Sequence, residues 1–597
     1  MHAQQGLSAA WAGLPGPLRQ HLALASTGWR HLTRAGALCL GQARESADPG
    51  GQTRLTALAA DLLLWAFGEN PLSGPLAAEI LSASELPLPE VSRAALAAVA
   101  ANWRVPEARD GGLAYFERLA KLRDTEKLAA FLAGQIDKAP AALFWREKAL
   151  ALSLYAGEPE LRTALEAAAL GGPNGGLEAM PGLAPVAAAL VAQAAFLRGD
   201  TAACLDALGR LGDCFGPGFA PARAGLALLA TGEDHAALPH LFQALRAAPW
   251  QANLAQVAAD AVTGLRSALA PLPGPTLIML YTWNKAADLD ATLTSLFASE
   301  LQGARVVVLD NGSTDATPQV LDAWAGRAGG NLLRVTLPVN IGAPAARNWL
   351  AALPEAKAAE TLIYLDDDVD LPPDWLGKLG AALQDNPDAG VLGCKVADHH
   401  APHLLQNVAG HLAIPQGVDE NRPDLDFQSL TPNPFRLLDA HLQGPDWGLF
   451  DFVSPCASVT GCCHLFRRKA LIGSSGAPAA AGGFSLALGP SQYDDFERDL
   501  RMLDSGANAV YTGHLRVRHR KRSGLSSQGG GQGGGQGQGG DAAGANAAGN
   551  RYKMQCLHPR EEIARHMATQ AERLEAHQAG RLRLLDEHIL DSTKGAS

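Results

Sequence analysis

A chain of 597 residues exceeds what one hydrophobic core supports, so two to four domains are expected. Hydrophobic content of 47% with 18% charged residues marks globular material, and a net charge of −11 excludes a general nucleic-acid binder, because no basic field would steer phosphate backbones. Eight cysteines without a CxxC pair or regular spacing fit reduced thiols of a cytosol rather than a disulfide scaffold.

The opening "MHAQQGLSAAWAGLPG" has no basic segment followed by an apolar one, so no secretory signal is expected. Residues 1–270 read as helices throughout, rich in Ala, Leu, Arg and Glu and poor in β-branched residues. Within them "APVAAALVAQAAFLRGDTAACLDAL" (184–208) and "FAPARAGLALLATGEDHAALPHLFQALRAAP" (219–249) share one plan: apolar helix, Gly-acid turn, second helix. The turn glycines Gly199 and Gly232 lie 33 residues apart, close to the ~34-residue period of helix-turn-helix repeats. Residues 142–170 read as an earlier copy. The uncharged run 179–197 is Ala-rich and broken by Pro181 and Pro185, so no membrane span is expected. The chain is therefore expected in the cytoplasm, or peripheral to the inner face of a membrane.

Prolines and a glycine at 268–275 end the helices. Strands are then predicted at 276–282, 304–310, 332–337 and 361–366, alternating with helices at 289–299, 317–328 and 343–353. That alternation specifies a parallel sheet with helical crossovers, with ligands at the carboxyl ends of its strands. This α/β domain is expected over 275–525. Residues 526–550 are low in complexity and read as a flexible segment, and 551–597 read as a C-terminal helical segment.

Polar clusters follow each strand: "TWNK" (282–285), "DNGSTD" (310–315), "NIGAPAARN" (340–348) and "DDDVD" (366–370). In a parallel sheet these loops converge. Four aspartates within five positions repel one another unless a cation joins them, and Asp366 and Asp368, alternating on extended chain, can face one hard ion. Asp310 can accept hydrogen bonds from a base or ribose, and Arg347 can neutralise a diphosphate. The loops together point to a nucleotide-diphosphate site with metal.

These segments resemble the nucleotide-binding half of family 2 glycosyltransferases, which have the GT-A fold, over residues 276–395. The family's Pro-Thr-Tyr-Asn-Arg opening is matched by Tyr281 to Lys285. Its Asp-Asp-Gly-Ser-Thr-Asp is matched by Asp310 to Asp315, and its Asn-x-Gly-x-x-x-Ala-Arg-Asn by Asn340 to Asn348. Its metal-binding Asp-x-Asp is matched by Asp366 to Asp368. Further on, 459–471 resembles the family's Thr-Gly strand, and 493–519 its acidic helix and the strand ending in histidine. The helical half resembles tetratricopeptide repeats.

The resemblance implies a nucleotide-sugar site built by Thr282, Asn284, Asp310, Asn340, Gly342, Arg347, Asp367 and Gly461. It implies a manganese or magnesium ion held by Asp366, Asp368 and His519, and Asp495 as catalytic base with Asp494 beside it. Asp494 and Glu497 stand where the family has glutamate and aspartate, which leaves 494 and 495 both open as the base. The implied reaction is inverting transfer from a nucleotide-diphosphate sugar, commonly a uridine one, to a glycan or protein hydroxyl, in bacterial-type glycan synthesis. The alternative is a helical-repeat scaffold with a degenerate transferase domain. A nucleotidyltransferase would want a Gly-rich basic loop after the first strand, which "TWNKAADLD" is not.

Three features carry a blander reading. "DHHAPH" (398–403) with His411 matches no zinc spacing. Cys462 and Cys463 are expected in the core. Trp447 is placed equally well against an acceptor sugar or in a buried cluster.

Overall fold

The computed structural model describes residues 6–24, 28–107, 111–122, 124–171, 176–413, 435–438, 445–472, 482–521 and 539–594. The chain divides into two compact units. One comprises Met1–Val262, Ala440–Phe450 and Gln578–Ser597, the other Thr263–Asp439 and Asp451–His577. The division is thus not a single cut along the chain.

The first unit is helical. Leu143–Tyr155 packs on Pro159–Leu170, Ala184–Leu197 on Thr201–Gly209, and Phe219–Ala230 on Asp234–Ala247. Gly199 and Gly232 make the turns with φ of +74° and +79°, a left-handed conformation that costs a residue with a Cβ about 1–2 kcal/mol. Asp200 then caps the next helix by accepting from Ala203 N at 3.0 Å. Trp447 is buried, stacked on Phe196 at 4.2 Å with the Arg223 guanidinium 4.4 Å over its ring. It packs in the core of this unit and is closed to a sugar. No described helix is long and apolar enough to cross a membrane.

The second unit is built on a ten-stranded, mainly parallel mixed sheet, as the alternating pattern requires. Its strands include β1 (Thr276–Thr282), β2 (Arg305–Asp310), β3 (Leu332–Thr336), β4 (Thr361–Leu365), β5 (Val369–Asp370), β6 (Ala389–Asp398) and β7 (Leu405–Asn407). A separate two-stranded ribbon pairs β8 (Leu412–Ala413) with β9 (Arg436–Leu437), and β10 (Val453–Cys456), β11 (Cys463–Arg467) and β12 (Asn508–His519) complete the large sheet. The order is β10-β12-β6-β11-β4-β1-β2-β3. β1 to β4 are mutually parallel, β11 inserts antiparallel between β4 and β6, and β12 runs parallel to β6. β4 is buried at every position, which is why its sequence "TLIYL" shows no polar alternation.

Helices α1 (Ala286–Ala298), α2 (Thr317–Arg327), α3 (Ala343–Ala352) and α4 (Trp375–Asp385) cross over between strands. Leu289, Leu293 and Leu296 of α1 and Leu376, Leu379 and Leu383 of α4 share one core with Ile278, Val306, Val308 and Ile363. Each such leucine contributes roughly 1.5–3 kcal/mol by leaving water. Later in the chain come α5 (Asp494–Asp504), α6 (Gly539–Leu557) and α7 (Arg560–Lys594).

One expectation is corrected here. Residues 539–550, read as part of a flexible segment, belong to α6. Its Asn550 Nδ2 donates to Leu488 O (2.7 Å) and Ser491 O (2.8 Å), and Asn546 Nδ2 to Ser491 O (2.7 Å). Alanine favours helix, and the two asparagines satisfy carbonyls of a neighbouring loop, so the segment orders without large apolar side chains. Residues 526–538 lie outside the described residues.

Candidate active site

The rim of the sheet is built from loops that tie one another down. Thr282 and Asp310 end β1 and β2 as register partners, both buried. Asp310 Oδ1 accepts from Ser313 N at 2.9 Å and closes the turn. Gly312 has φ +76°, and a Cβ there would lie 2.6 Å from the Val339 backbone, so only glycine lets these loops approach. Asn284, itself at φ +53°, accepts from Thr314 N at 2.7 Å. Asn340 Oδ1 accepts from Asn311 Nδ2 (2.9 Å) and from Gly342 N (2.8 Å). Asn284 and Asn340 therefore spend their amides holding the rim in shape.

The acidic strip follows β4. Lys285 Nζ, from the loop after β1, donates to Asp367 Oδ1 at 2.9 Å and to Asp368 Oδ2 at 2.8 Å. β5 pairs antiparallel with the end of β12, Val369 opposite His519, which brings that imidazole to the strip. His519 Nε2 lies 2.9 Å from Asp368 Oδ1 and 3.9 Å from Asp366 Oδ2, while Nδ1 lies 2.9 Å from Gln406 Oε1. Burial works against a charge on His519, yet the hydrogen bond and charge of Asp368, with Asp366, raise its pKa. Burial also resists ionisation of Asp368, but His519 and Lys285 hold it well below the usual carboxylate range. Asp367 is the reverse, pushed up to about 6 by burial against the pull of Lys285. Arg520 Nη2 donates to Asp370 Oδ1 at 2.6 Å, and the His399 imidazole pairs with the same carboxylate. Among the described residues the 398–403 histidines form no group of metal ligands.

Asp366, Cys462 and His519 bring one donor atom each within 4.8 Å of one another, a grouping that could hold an ion. Asp366 is the most exposed of the three aspartates at 366–368, and its closest ionic partners are as far as 3.9 Å. Its oxygens are free for an ion and are donors that manganese or magnesium favours, whereas the imidazole and the Cys462 sulfur are softer donors that zinc-type ions favour. Asp368, expected beside Asp366 as a ligand, hydrogen-bonds Lys285 and His519; Cys462 lies in the core, as expected, with its sulfur near Asp366 and His519.

Across the site α5 begins with Asp494, Asp495 and Glu497 in its first turn, where the helix dipole favours negative charge. Arg347 of α3 is buried between the Tyr281 and Phe484 rings (5.4 and 5.3 Å) and donates to Asp494 Oδ2 at 2.5 Å. Burial opposes its charge, but Asp494, Tyr281, Asp495 and Asp366 keep it protonated. Its Nη2 is 3.9 Å from Asp366 Oδ1. So engaged, Arg347 is a buried strut between the two acidic clusters. Asp495 is half-buried, accepting from Gly461 N at 2.7 Å and Phe496 N at 2.9 Å. A Cβ at Gly461 would stand 2.5 Å from Arg347 Nη2 and 3.0 Å from Asp495 Oδ2. Glu497 pairs along its own helix with Arg501, at 2.6 and 2.8 Å.

Residues 277–415 match the family model "Glycosyl transferase family 2". The chain carries a family 2 glycosyltransferase domain. The matched span holds β1 to β4 and the acidic strip, while α5, β12 and the Gly461 turn of the transferase site lie beyond it. No curated protein matches the chain.

Solved structures similar to it include "GalNAc-T7 with UDP, GalNAc and Mn2+", at 14% identity and TM-score 0.30, covering 42% of this chain and 44% of that one. The "Mannosyltransferase PcManGT from Pyrobaculum calidifontis in complex with GDP-Man and Mn2+" has 16% identity and TM-score 0.31, covering 58% and 88%. "S. aureus TarS 1-349" has 17% identity and TM-score 0.25, covering 40% and 60%. The chain thus spans less than half of the first structure's length.

Sequence reasoning gave Lys285 and Gln406 no role and placed Cys462 in the core, whereas all three have side chains at this rim. The lysine and the cysteine carried a signal. Lys285 directly follows Asn284 in a rim loop, and Cys462 directly follows Gly461. Gln406 carried none, because it reaches the site from β7, which pairs with β6 near its end.

Proposed function

We propose that the transferase domain moves a sugar from a nucleotide-diphosphate donor, a uridine one first among them, to an acceptor hydroxyl with inversion at the anomeric carbon. Asp495 is the base. It is the acid of the pair with room for an acceptor, since Asp494 is buried against Arg347. The observation that carries this reading is the junction at Gly461. There the half-buried Asp495 and the Arg347 strut meet on one side, and Asp366, Cys462 and His519 gather on the other.

Asp495 takes the proton from the acceptor hydroxyl as its oxygen bonds to the anomeric carbon. The bond from that carbon to the diphosphate oxygen breaks, and the electron pair leaves with the nucleotide. A positioned carboxylate is worth roughly 10²–10⁴-fold in such a step. Asp366, Cys462 and His519 would hold a divalent ion, which when bound supplies positive charge for the departing diphosphate. Lys285, with 39% of its side chain exposed, adds positive charge at the same rim. Thr282, Asn284, Asp310, Asn340 and Gly342 shape the donor cleft between the loops, and Asp367 and Asp368 anchor Lys285 and His519 within it.

The helical unit we assign to holding a protein acceptor or an assembly partner, in the manner of repeat proteins. The test is Asp495→Asn, assayed for transfer and, separately, for nucleotide-sugar binding with manganese. Transfer should fall by about 10²–10⁴-fold with binding retained. Undiminished transfer removes Asp495 from the role. Absence of any nucleotide-sugar binding by the wild-type chain favours a scaffold with a silent transferase domain.

A further inference from the structure

We infer that Asp504, Glu562 and His566 form a second divalent-cation site, of zinc type, that fastens α7 to the carboxyl end of α5. Glu562 and His566 stand four residues apart on α7 and so share one face of that helix. Asp504 is the last residue of α5. One donor atom from each comes within 4.8 Å of the other two.

The observation that points to an ion is the state of His566. Its side chain is only 6% exposed, and its Nε2 makes no hydrogen bond, yet it is aimed at two carboxylates. It stands 3.4 Å from Asp504 Oδ1 and 3.6 Å from Glu562 Oε1. These separations are too long for good N–H···O bonds, which run about 2.7–3.2 Å. They lie close to the separation of about 3.3–3.5 Å between neighbouring donors that zinc bonds of about 2.0–2.2 Å at tetrahedral angles require, while the two carboxylates stand within 4.8 Å of each other.

The charges agree. Two carboxylates and a neutral imidazole neutralise a dication, whereas Arg565, the cation paired with Asp504, is 65% exposed and 3.5 Å from the same oxygen. The Glu562 oxygen that faces His566, Oε1, is also held by His558, whose Nδ1 lies 2.6 Å from it, as metal-binding carboxylates are commonly hydrogen-bonded. A cavity of about 40 Å³ lined by Leu503, His566, Thr569 and Arg573 adjoins the group, with room for a water as fourth ligand. One imidazole with carboxylates and water favours zinc over magnesium, which prefers all-oxygen surroundings.

The consequence reaches the proposed base without depending on it. α5 carries Asp494 and Asp495 in its first turn and Asp504 at its end, so an ion here pins the far end of the helix that presents them.

The test uses the full chain stripped with a chelator and titrated with Zn²⁺ alone, read by bound zinc per chain and by the thermal unfolding midpoint. Asp504→Asn is the main variant, because its side chain is 42% exposed and its loss does not threaten folding. His566→Ala is the second, and His519→Ala controls for zinc captured at the sheet rim. Asp504→Asn should weaken one zinc equivalent by at least about tenfold and erase its thermal shift, with the same equivalent missing from His566→Ala and present in His519→Ala. Wild-type stoichiometry and shift in Asp504→Asn, or a zinc equivalent lost only in His519→Ala, overturns the site.

Discussion

The acidic strip at Asp366–Asp370 and the acidic start of α5 at Asp494–Asp495 share a composition and differ in how they are neutralised. The strip draws cations from two separated segments, Lys285 and the adjacent pair His519 and Arg520, and leaves Asp366 with only distant partners. On α5 a single buried cation, Arg347, takes one carboxylate and leaves the other to backbone N–H groups. The difference follows from what each cluster must keep available. On the proposed function, a strip that is to hold a metal keeps one oxygen-rich edge free among many fixed charges, and a carboxylate that is to act as base stays reachable beside a locked twin.

The sharpest way to break this comparison is to exchange the fates of the twins. Asp494→Asn leaves the Arg347 guanidinium buried without its ion-pair partner, which should cost about 3–5 kcal/mol of stability. Urea unfolding of Asp494→Asn and Asp495→Asn, beside their transfer rates, separates the two roles. Asp494→Asn should be the unstable variant. Asp495→Asn should keep near wild-type stability and lose transfer. Equal stabilities in the two variants would show that Arg347 does not depend on Asp494.

Gly461→Ala is the next in size, and it strikes where the clusters meet. Its methyl would press on Arg347 Nη2 at 2.5 Å and on Asp495 Oδ2 at 3.0 Å. Arg347 cannot swing away freely, since Asp494 and two aromatic rings hold it. Overpacking of this kind costs about 1–3 kcal/mol. Displacement of the base by even a fraction of an ångström should lower kcat more than KM, by about tenfold or more. A steady-state comparison that finds KM changed and kcat intact would place Asp495 away from the reacting atoms.

The parallel core was legible because β1, β2 and β4 are short continuous apolar runs set between helix-period segments, and their loops carry turn chemistry in the residues themselves. Asp310 with Gly312 and Asn340 with Gly342 announce tight turns before any coordinates do. The neutralising partners were not legible, because pairing between Asp368 and His519 depends on β12 running out to β5, and no local period encodes that. The departure of residues 440–450 into the helical unit left no composition signal. The helix over 539–550 was hidden by its glycines, although its alanines and the two asparagines that hold the neighbouring loop were in plain sight.

Lys285→Met gives the smallest effect and refines the account of the strip. Removing the ammonium leaves Asp367 and Asp368, both buried, without the cation they share. Breaking a fully buried pair costs about 3–5 kcal/mol, but 39% of the Lys285 side chain is exposed, so solvent screening reduces the expected loss to roughly 1–2 kcal/mol. The same change raises the negative potential around Asp366, Cys462 and His519. Manganese should then bind the variant more tightly than the wild type, and the stability deficit should shrink as manganese is added, because an ion bound only by the folded state stabilises it by mass action. Paired thermal melts with and without manganese measure both. If the deficit is the same in either condition, Lys285 and the metal set are electrostatically independent, and the strip is neutralised by its side chains alone.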